Sequence, residues 1–223
     1  MEFRLFFWEG VVLSRLHSSN AKIVMHNGDL PDGLRFGSVV AIDGEAMGLV
    51  PGRDRLCVLQ ISADDGFCHI VQIPSSPGSV PNLRALCLDS SIMKVFHYAR
   101  FDVGAIFRTF GFMCENIACT YIMSRLARTY TERHSLKDIC RELLSIDISK
   151  QAQSSDWGAH DLSAEQKHYA ATDVAYLHSI HNILAKILRR ESRWTLAEEC
   201  MKLIPVRVML DSAGWTEDIF SHH

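Results

Sequence analysis

The spacing of apolar and polar residues changes character along the chain. From Gly37 onward it falls into short β-rich runs at residues 38–45, 56–62 and 68–73, separated by the turn signals Pro51-Gly52 and Asp64-Asp65-Gly66. Three consecutive strands on short turns predict an antiparallel meander. Past Pro81 the apolar positions take helical spacing (Leu83, Leu86, Leu88), residues 93–98 read as a strand, and Val103, Ile106, Phe107 and Phe110 mark a helix ended by Gly111. After Ile117 the chain reads almost wholly helical, at residues 120–127, 136–144, 164–188 and 195–203. The sheet is therefore expected in the first half, with helices packed around it, which is an α/β domain.

Length and composition narrow this without redirecting it. At 223 residues with 48% hydrophobic and 22% charged, the chain has enough apolar material for a sizeable core without staples. No repeat and no Gly/Ser/Pro linker divides it, so one domain over residues 25–190 is expected, followed by a short helical tail at 191–223. The segment Met25-His-Asn-Gly-Asp-Leu-Pro-Asp looks like an ordinary domain start, leaving residues 1–24 as an extension outside the core. That extension is rich in Phe and Trp, but it lacks the basic n-region and cleavage site of a secretory signal. No run of about 18 apolar residues exists to span a membrane. The seven cysteines form no C-x-x-C pair and mostly lie in apolar stretches, so they read as reduced core residues of a cytoplasmic protein. The formal net charge of −3 argues against a protein that coats nucleic acid electrostatically. The histidines lack the spacing of a zinc site.

The chemistry concentrates in acidic residues. The first run, Val39-Val40-Ala41-Ile42-Asp43-Gly44-Glu45, is an apolar strand ending in two carboxylates at i and i+2, which project from the same face. Two carboxylates there repel and lose solvation unless a cation or proton joins them, although the pair is also compatible with the solvated end of a strand. Asp102, in His97-Tyr98-Ala99-Arg100-Phe101-Asp102, stands where a strand gives way to a helix, a position that also suits an N-cap. Tyr169 and Asp173 are four apart on a late helix and share one face, and Asp173 is flanked by Ala170, Ala171, Val174 and Ala175. Hard oxygen ligands of this kind suit Mg²⁺ or Mn²⁺ better than zinc.

With these residues in place the sequence resembles the ribonuclease D family within the DEDDy superfamily of 3′–5′ exonucleases. Its three motifs are matched by Asp43-Gly44-Glu45, Phe101-Asp102 and Tyr169 with Asp173, at separations of about 57 and then about 67 residues. The likeness extends through residues 134–140, Ser155-Asp156-Trp157 and residues 162–166. It departs at Gly44, where the family usually has Thr, and at Cys119, where an acidic residue is common. The resemblance implies a ribonuclease-H-like mixed sheet, an antiparallel meander plus parallel strands, surrounded by helices. It also implies hydrolysis of RNA from 3′ ends assisted by two divalent cations, Mg²⁺ or Mn²⁺, in maturation or turnover of tRNA and other structured RNAs. Asp43, Glu45, Asp102 and Asp173 would be the ligands, and Tyr169 would orient the attacking water. Met47, Gly48 and Leu49 would lie against the terminal base, while the Phe101 ring is compatible both with stacking on a nucleotide and with ordinary core packing. Lys150 or Arg100 could contact a phosphate, with Gln153 and Trp157 in the same polar loop as Lys150. Single-stranded RNA 3′ ends are the expected partner; single-stranded DNA and a catalytically silent binding module are the competing readings. Two bound divalent ions would move the formal charge from −3 to +1, so phosphate contacts should be few and grip on nucleic acid should depend on metal.

Overall fold

The structure, a computed structural model, describes residues 21–50, 52–149, 154–215 and 217–219. Six strands form one sheet: β1 (Lys22–Asn27), β2 (Val39–Ala46), β3 (Leu56–Ser62), β4 (Phe67–Gln72), β5 (Met93–Phe96) and β6 (Ile117–Cys119), in the order β1-β4-β3-β2-β5-β6. β2, β3 and β4 are the antiparallel meander. β1 joins β4, β5 joins β2 and β6 joins β5, all in parallel. Every residue of the central strand β3 is buried, because helices cover both faces, and its sequence is accordingly a nearly continuous apolar run.

The helices are α1 (Pro81–Leu88), α2 (Ala99–Phe110), α3 (Thr120–Ala127), α4 (Leu136–Ile139), α5 (Ala164–Ala175), α6 (Leu177–Arg190), α7 (Trp194–Lys202) and α8 (Ile204–Ser212), with a π-helical turn, Cys140–Leu144, continuing α4. α5 lies against β2, β3 and β4, α6 against β2 and β5, and α2 against β2, β3, β5 and β6. Gly111 closes α2 in the left-handed region at φ 74°, its N–H donating to Phe107 O at 2.8 Å. The described cysteines form no disulfide, and all but Cys200 are buried. No described helix is long and apolar enough to cross a membrane.

Three features depart from the sequence reading. The chain enters the sheet at Lys22, ahead of Met25, so residues 22–24 belong to β1 rather than to an extension. Residues 1–20 lie outside the described residues. Ile117–Cys119 is a short edge strand, so the sheet runs past the midpoint of the chain. The expected helix at 164–188 is two helices, broken at Tyr176, where no Gly or Pro announces the break.

Candidate active site

β2 carries the first two carboxylates. Asp43 and Glu45 project from one face, while Gly44 between them faces the other way. The β2–β5 ladder ends at Ala41 and Val95, and α2 lies along the strand beyond it. Asp102 sits in the first turn of α2 and is not its N-cap; that position belongs to Tyr98, held in the left-handed region at φ 68° with no side-chain cap bond. The Asp102 carboxylate instead accepts the backbone N–H of Gly44. A Cβ at Gly44 would lie 3.3 Å from Asp102 Oδ1, 3.3 Å from Leu56 Cδ1 and 3.4 Å from Leu59 Cδ2. The departure from Thr in the first motif therefore lets Asp102 approach the strand closely.

Asp173 comes from α5, whose start is firmly built. Ser163 and Gln166 form a capping box, and Gln166 Nε2 also donates to Asp156 O at 3.0 Å and Ser155 Oγ at 3.2 Å. The polar loop is thereby tied to the helix that carries Tyr169 and Asp173. Carboxylate oxygens of Asp43, Glu45 and Asp173 lie within 4.8 Å of one another. Asp102 and Asp173 are buried, while Asp43 and Glu45 remain partly open. Tyr169 hydrogen-bonds Asp173, and its ring leans on buried Trp157 at 6.0 Å and 44°.

Electrostatics reflect this crowding. Burial, then the charges of Asp102, Asp173 and Glu45, holds Asp43 well above the usual carboxylate range. Burial, then Asp173 and Asp102, pushes Glu45 up to about 9. Asp102 is also raised, first by burial and then by Asp173, against the pull of the Gly44 N–H. Burial and the nearby Asp173 and Glu45 raise the Tyr169 hydroxyl, which keeps its proton through the neutral range. Four hard oxygen donors that destabilise one another's charge fit a divalent cation, which would replace the missing compensation.

The expected substrate residues lie on the segment that follows β2 and in the first turn of α2. Met47 and Leu49 are 55% and 80% exposed, and Val50 is also exposed, so apolar side chains face solvent just after the first motif. The shape of this loop depends on Gly48, where a Cβ would meet Asp54 Oδ2 at 2.4 Å, and on the Val50 N–H donating to that oxygen at 2.9 Å. Met47 Sδ lies 2.5 Å from where a Gly158 Cβ would be, which brings this loop against the polar loop after Trp157. Phe101 is partly exposed and stands outside the packed core. Arg100 is engaged elsewhere: its guanidinium makes two 2.7 Å bonds to Asp211 on α8. Lys150 and Gln153 lie outside the described residues.

One participant escaped the sequence reading. Gln60 on β3 pairs in register with Asp43, is fully buried, and donates from Nε2 to Asp43 Oδ2 at 2.5 Å. Its signal was a single amide within the otherwise apolar Leu56-Cys-Val-Leu-Gln-Ile run, which becomes informative once the β2–β3 register is known.

The chain matches the 3′–5′ exonuclease family over residues 29–189. Ribonuclease D of Gluconacetobacter diazotrophicus is 30% identical over 161 residues, which are 72% of this chain and 40% of that protein. The chain thus spans about 40% of the length of the curated ribonuclease D relatives it matches. Brucella melitensis NrnC bound to pGG superposes with a TM-score of 0.86 at 48% identity, covering 90% of this chain and 98% of that one, and NrnC has also been solved with bound Mg²⁺. Escherichia coli RNase D shares the fold at a TM-score of 0.69 and 22% identity, over 77% of this chain and 45% of that one.

Proposed function

Because the chain belongs to the 3′–5′ exonuclease family, as a ribonuclease D-like member, we propose that it removes nucleotides from RNA 3′ ends by hydrolysis assisted by two divalent cations, Mg²⁺ or Mn²⁺. The observation that carries this reading is the convergence of Asp43, Glu45 and Asp173, from β2 and α5, to within 4.8 Å. Asp43, Glu45 and Asp173 would hold the ions together with Asp102 on α2. When bound, the ions supply activation of the attacking water and charge stabilisation of the leaving 3′ oxygen.

The remaining work falls to side chains. Tyr169 stays protonated because its hydroxyl is raised, so it orients the water by hydrogen bonding rather than taking its proton. Asp173, bonded to that hydroxyl, and Trp157, against its ring, hold the phenol in place. The exposed Met47 and Leu49, with Gly48 allowing the loop its path past Asp54, offer an apolar surface to the terminal base, and Phe101 offers a ring for stacking. Such contacts tolerate any base, as stepwise removal requires. Its free thiols, buried except for Cys200, suit a reducing compartment and so support a cytoplasmic setting.

The pGG-bound relative, matched over nearly its whole length, supports short RNA as a substrate. The decisive assay offers a dinucleotide, a single-stranded RNA of about ten residues, a 3′-extended tRNA and matched single-stranded DNA, with Mg²⁺, Mn²⁺ or EDTA. Stepwise shortening of RNA from the 3′ end that EDTA abolishes, lost in a folded Asp102→Asn variant, is the expected result. The relative rates on the three RNAs decide between short oligonucleotides and structured precursors. Metal-independent cleavage, or none of any RNA, overturns the proposal.

A further inference from the structure

Gln60 is the feature the catalytic set leaves unexplained. It is fully buried in a strand whose other buried residues, Ser62 aside, are apolar, and its Oε1 is buried with no hydrogen-bond partner among the described residues. A buried amide with one unpaired atom is a poorer packing element than Met or Leu of similar size, because the unpaired group keeps its desolvation penalty. Its only described side-chain bond goes to Asp43. In the antiparallel register Gln60 stands directly opposite Asp43, as Val58 stands opposite Glu45, so the amide reaches the carboxylate from the neighbouring strand on the same face.

Building on the metal-dependent reading above, we propose that Gln60 is the positioning residue of the first carboxylate: its amide clamps Asp43 Oδ2 and fixes the plane in which that carboxylate is presented to the cations. The clamp acts from a central strand rather than a loop, and a rigid element places a ligand more closely than a mobile one. An amide donor also suits this task better than a cationic one. It orients the carboxylate while leaving its charge for the ion, whereas a lysine or arginine would compete with the ion for that charge. Outer partners of this type commonly change metal affinity or activity roughly 10- to 100-fold when removed.

Gln60→Met keeps the volume and removes the donor, and Gln60→Asn keeps an amide that is one methylene too short. Mn²⁺ binding is measured by calorimetry on substrate-free protein, alongside the melting temperature and the dependence of RNA hydrolysis on Mg²⁺. For both variants the expected outcome is Mn²⁺ affinity weakened roughly 10-fold, a raised Mg²⁺ requirement, a lowered kcat and a KM for RNA within about twofold of the parent. Gln60→Met should melt close to the parent, because losing the unpaired Oε1 offsets leaving Asp43 Oδ2 without its donor. Unchanged Mn²⁺ affinity in either folded variant overturns the proposal, and so does a loss of affinity in Gln60→Met that Gln60→Asn restores. Parent protein that neither binds Mn²⁺ nor shortens RNA would instead sink the functional reading itself.

Discussion

At Gly44 and Tyr169 single atoms decide the outcome. The sequence marks Gly44 only as a departure from Thr; the structure shows Asp102 Oδ1 only 3.3 Å from where a Cβ would stand, a tight approach. In Gly44→Ala the two leucine methyl groups can yield a few tenths of an ångström, but Asp102 is tied to the Gly44 N–H and moves with the strand. We expect kcat to fall roughly 10-fold, in keeping with the sensitivity of catalysis to sub-ångström misplacement, while the melting temperature stays within about 3 °C of the parent. An unchanged kcat would mean that the leucines absorb the methyl group. Tyr169→Phe removes the hydroxyl that Asp173 receives but leaves the ring against Trp157. It should slow hydrolysis by roughly 100-fold with Mn²⁺ affinity within about twofold, and an undiminished rate would exclude the water-orienting role. The five polar residues of the three motifs were legible as candidates, from residue type and from the resemblance of their order to the exonuclease motifs. Gln60 was not, because its significance lies in a cross-strand register that no local pattern encodes.

The same division holds for the elements. The meander and α1 to α3 follow from local signals: turn residues, alternation, helical spacing and the Gly111 stop. β1 and β6 do not, since each is a short parallel edge strand whose bonds go to residues distant in sequence, and β1 alternates weakly because most of its residues are half-buried. The sequence predicts a helical tail at residues 191–223, yet α8 reaches the start of α2. Asp211 there accepts two bonds from Arg100 at 2.7 Å and one from Arg207 at 2.7 Å. Arg100 is thus a brace between helices, two residues ahead of Asp102, rather than a free phosphate ligand. Because Arg100 is partly exposed, its pair is screened, and Arg100→Ala should cost about 1 kcal/mol. That corresponds to a melting temperature lower by about 2–4 °C, with KM for RNA within about twofold. A KM raised 10-fold at an unchanged melting temperature would return Arg100 to the substrate.

Across the whole molecule the carboxylate cluster should couple stability to pH and, on the proposed function, to metal. In the metal-free fold Asp43, Glu45 and Asp102 keep their protons above the ordinary carboxylate range, Glu45 up to about 9, whereas in the unfolded chain they ionise near their usual values. Between those limits the folded state binds more protons than the unfolded state, so the cluster's contribution to stability falls as pH rises. Its stabilising effect is complete below the unfolded values and lost as pH climbs towards 9. Buried His178 and His181, whose burial lowers them, act in the opposite direction, favouring the folded state as pH rises through the ordinary histidine range. A simple pH–stability curve therefore mixes the two, but the histidines contribute equally with and without metal, and the difference between those curves isolates the cluster. A divalent cation competes with the cluster's protons, so the rise in melting temperature on adding Mg²⁺ should grow with pH. At a concentration of 100 times its Kd, Mg²⁺ should add about 2.7 kcal/mol, or roughly 5–10 °C, at pH 8.5. At pH 6 the rise should be clearly smaller, and Asp43→Asn should flatten the difference. Differential scanning fluorimetry in EDTA and in Mg²⁺ at both pH values measures it, and an equal metal-induced shift at pH 6 and pH 8.5 would show that the cluster holds no protons for the cation to displace.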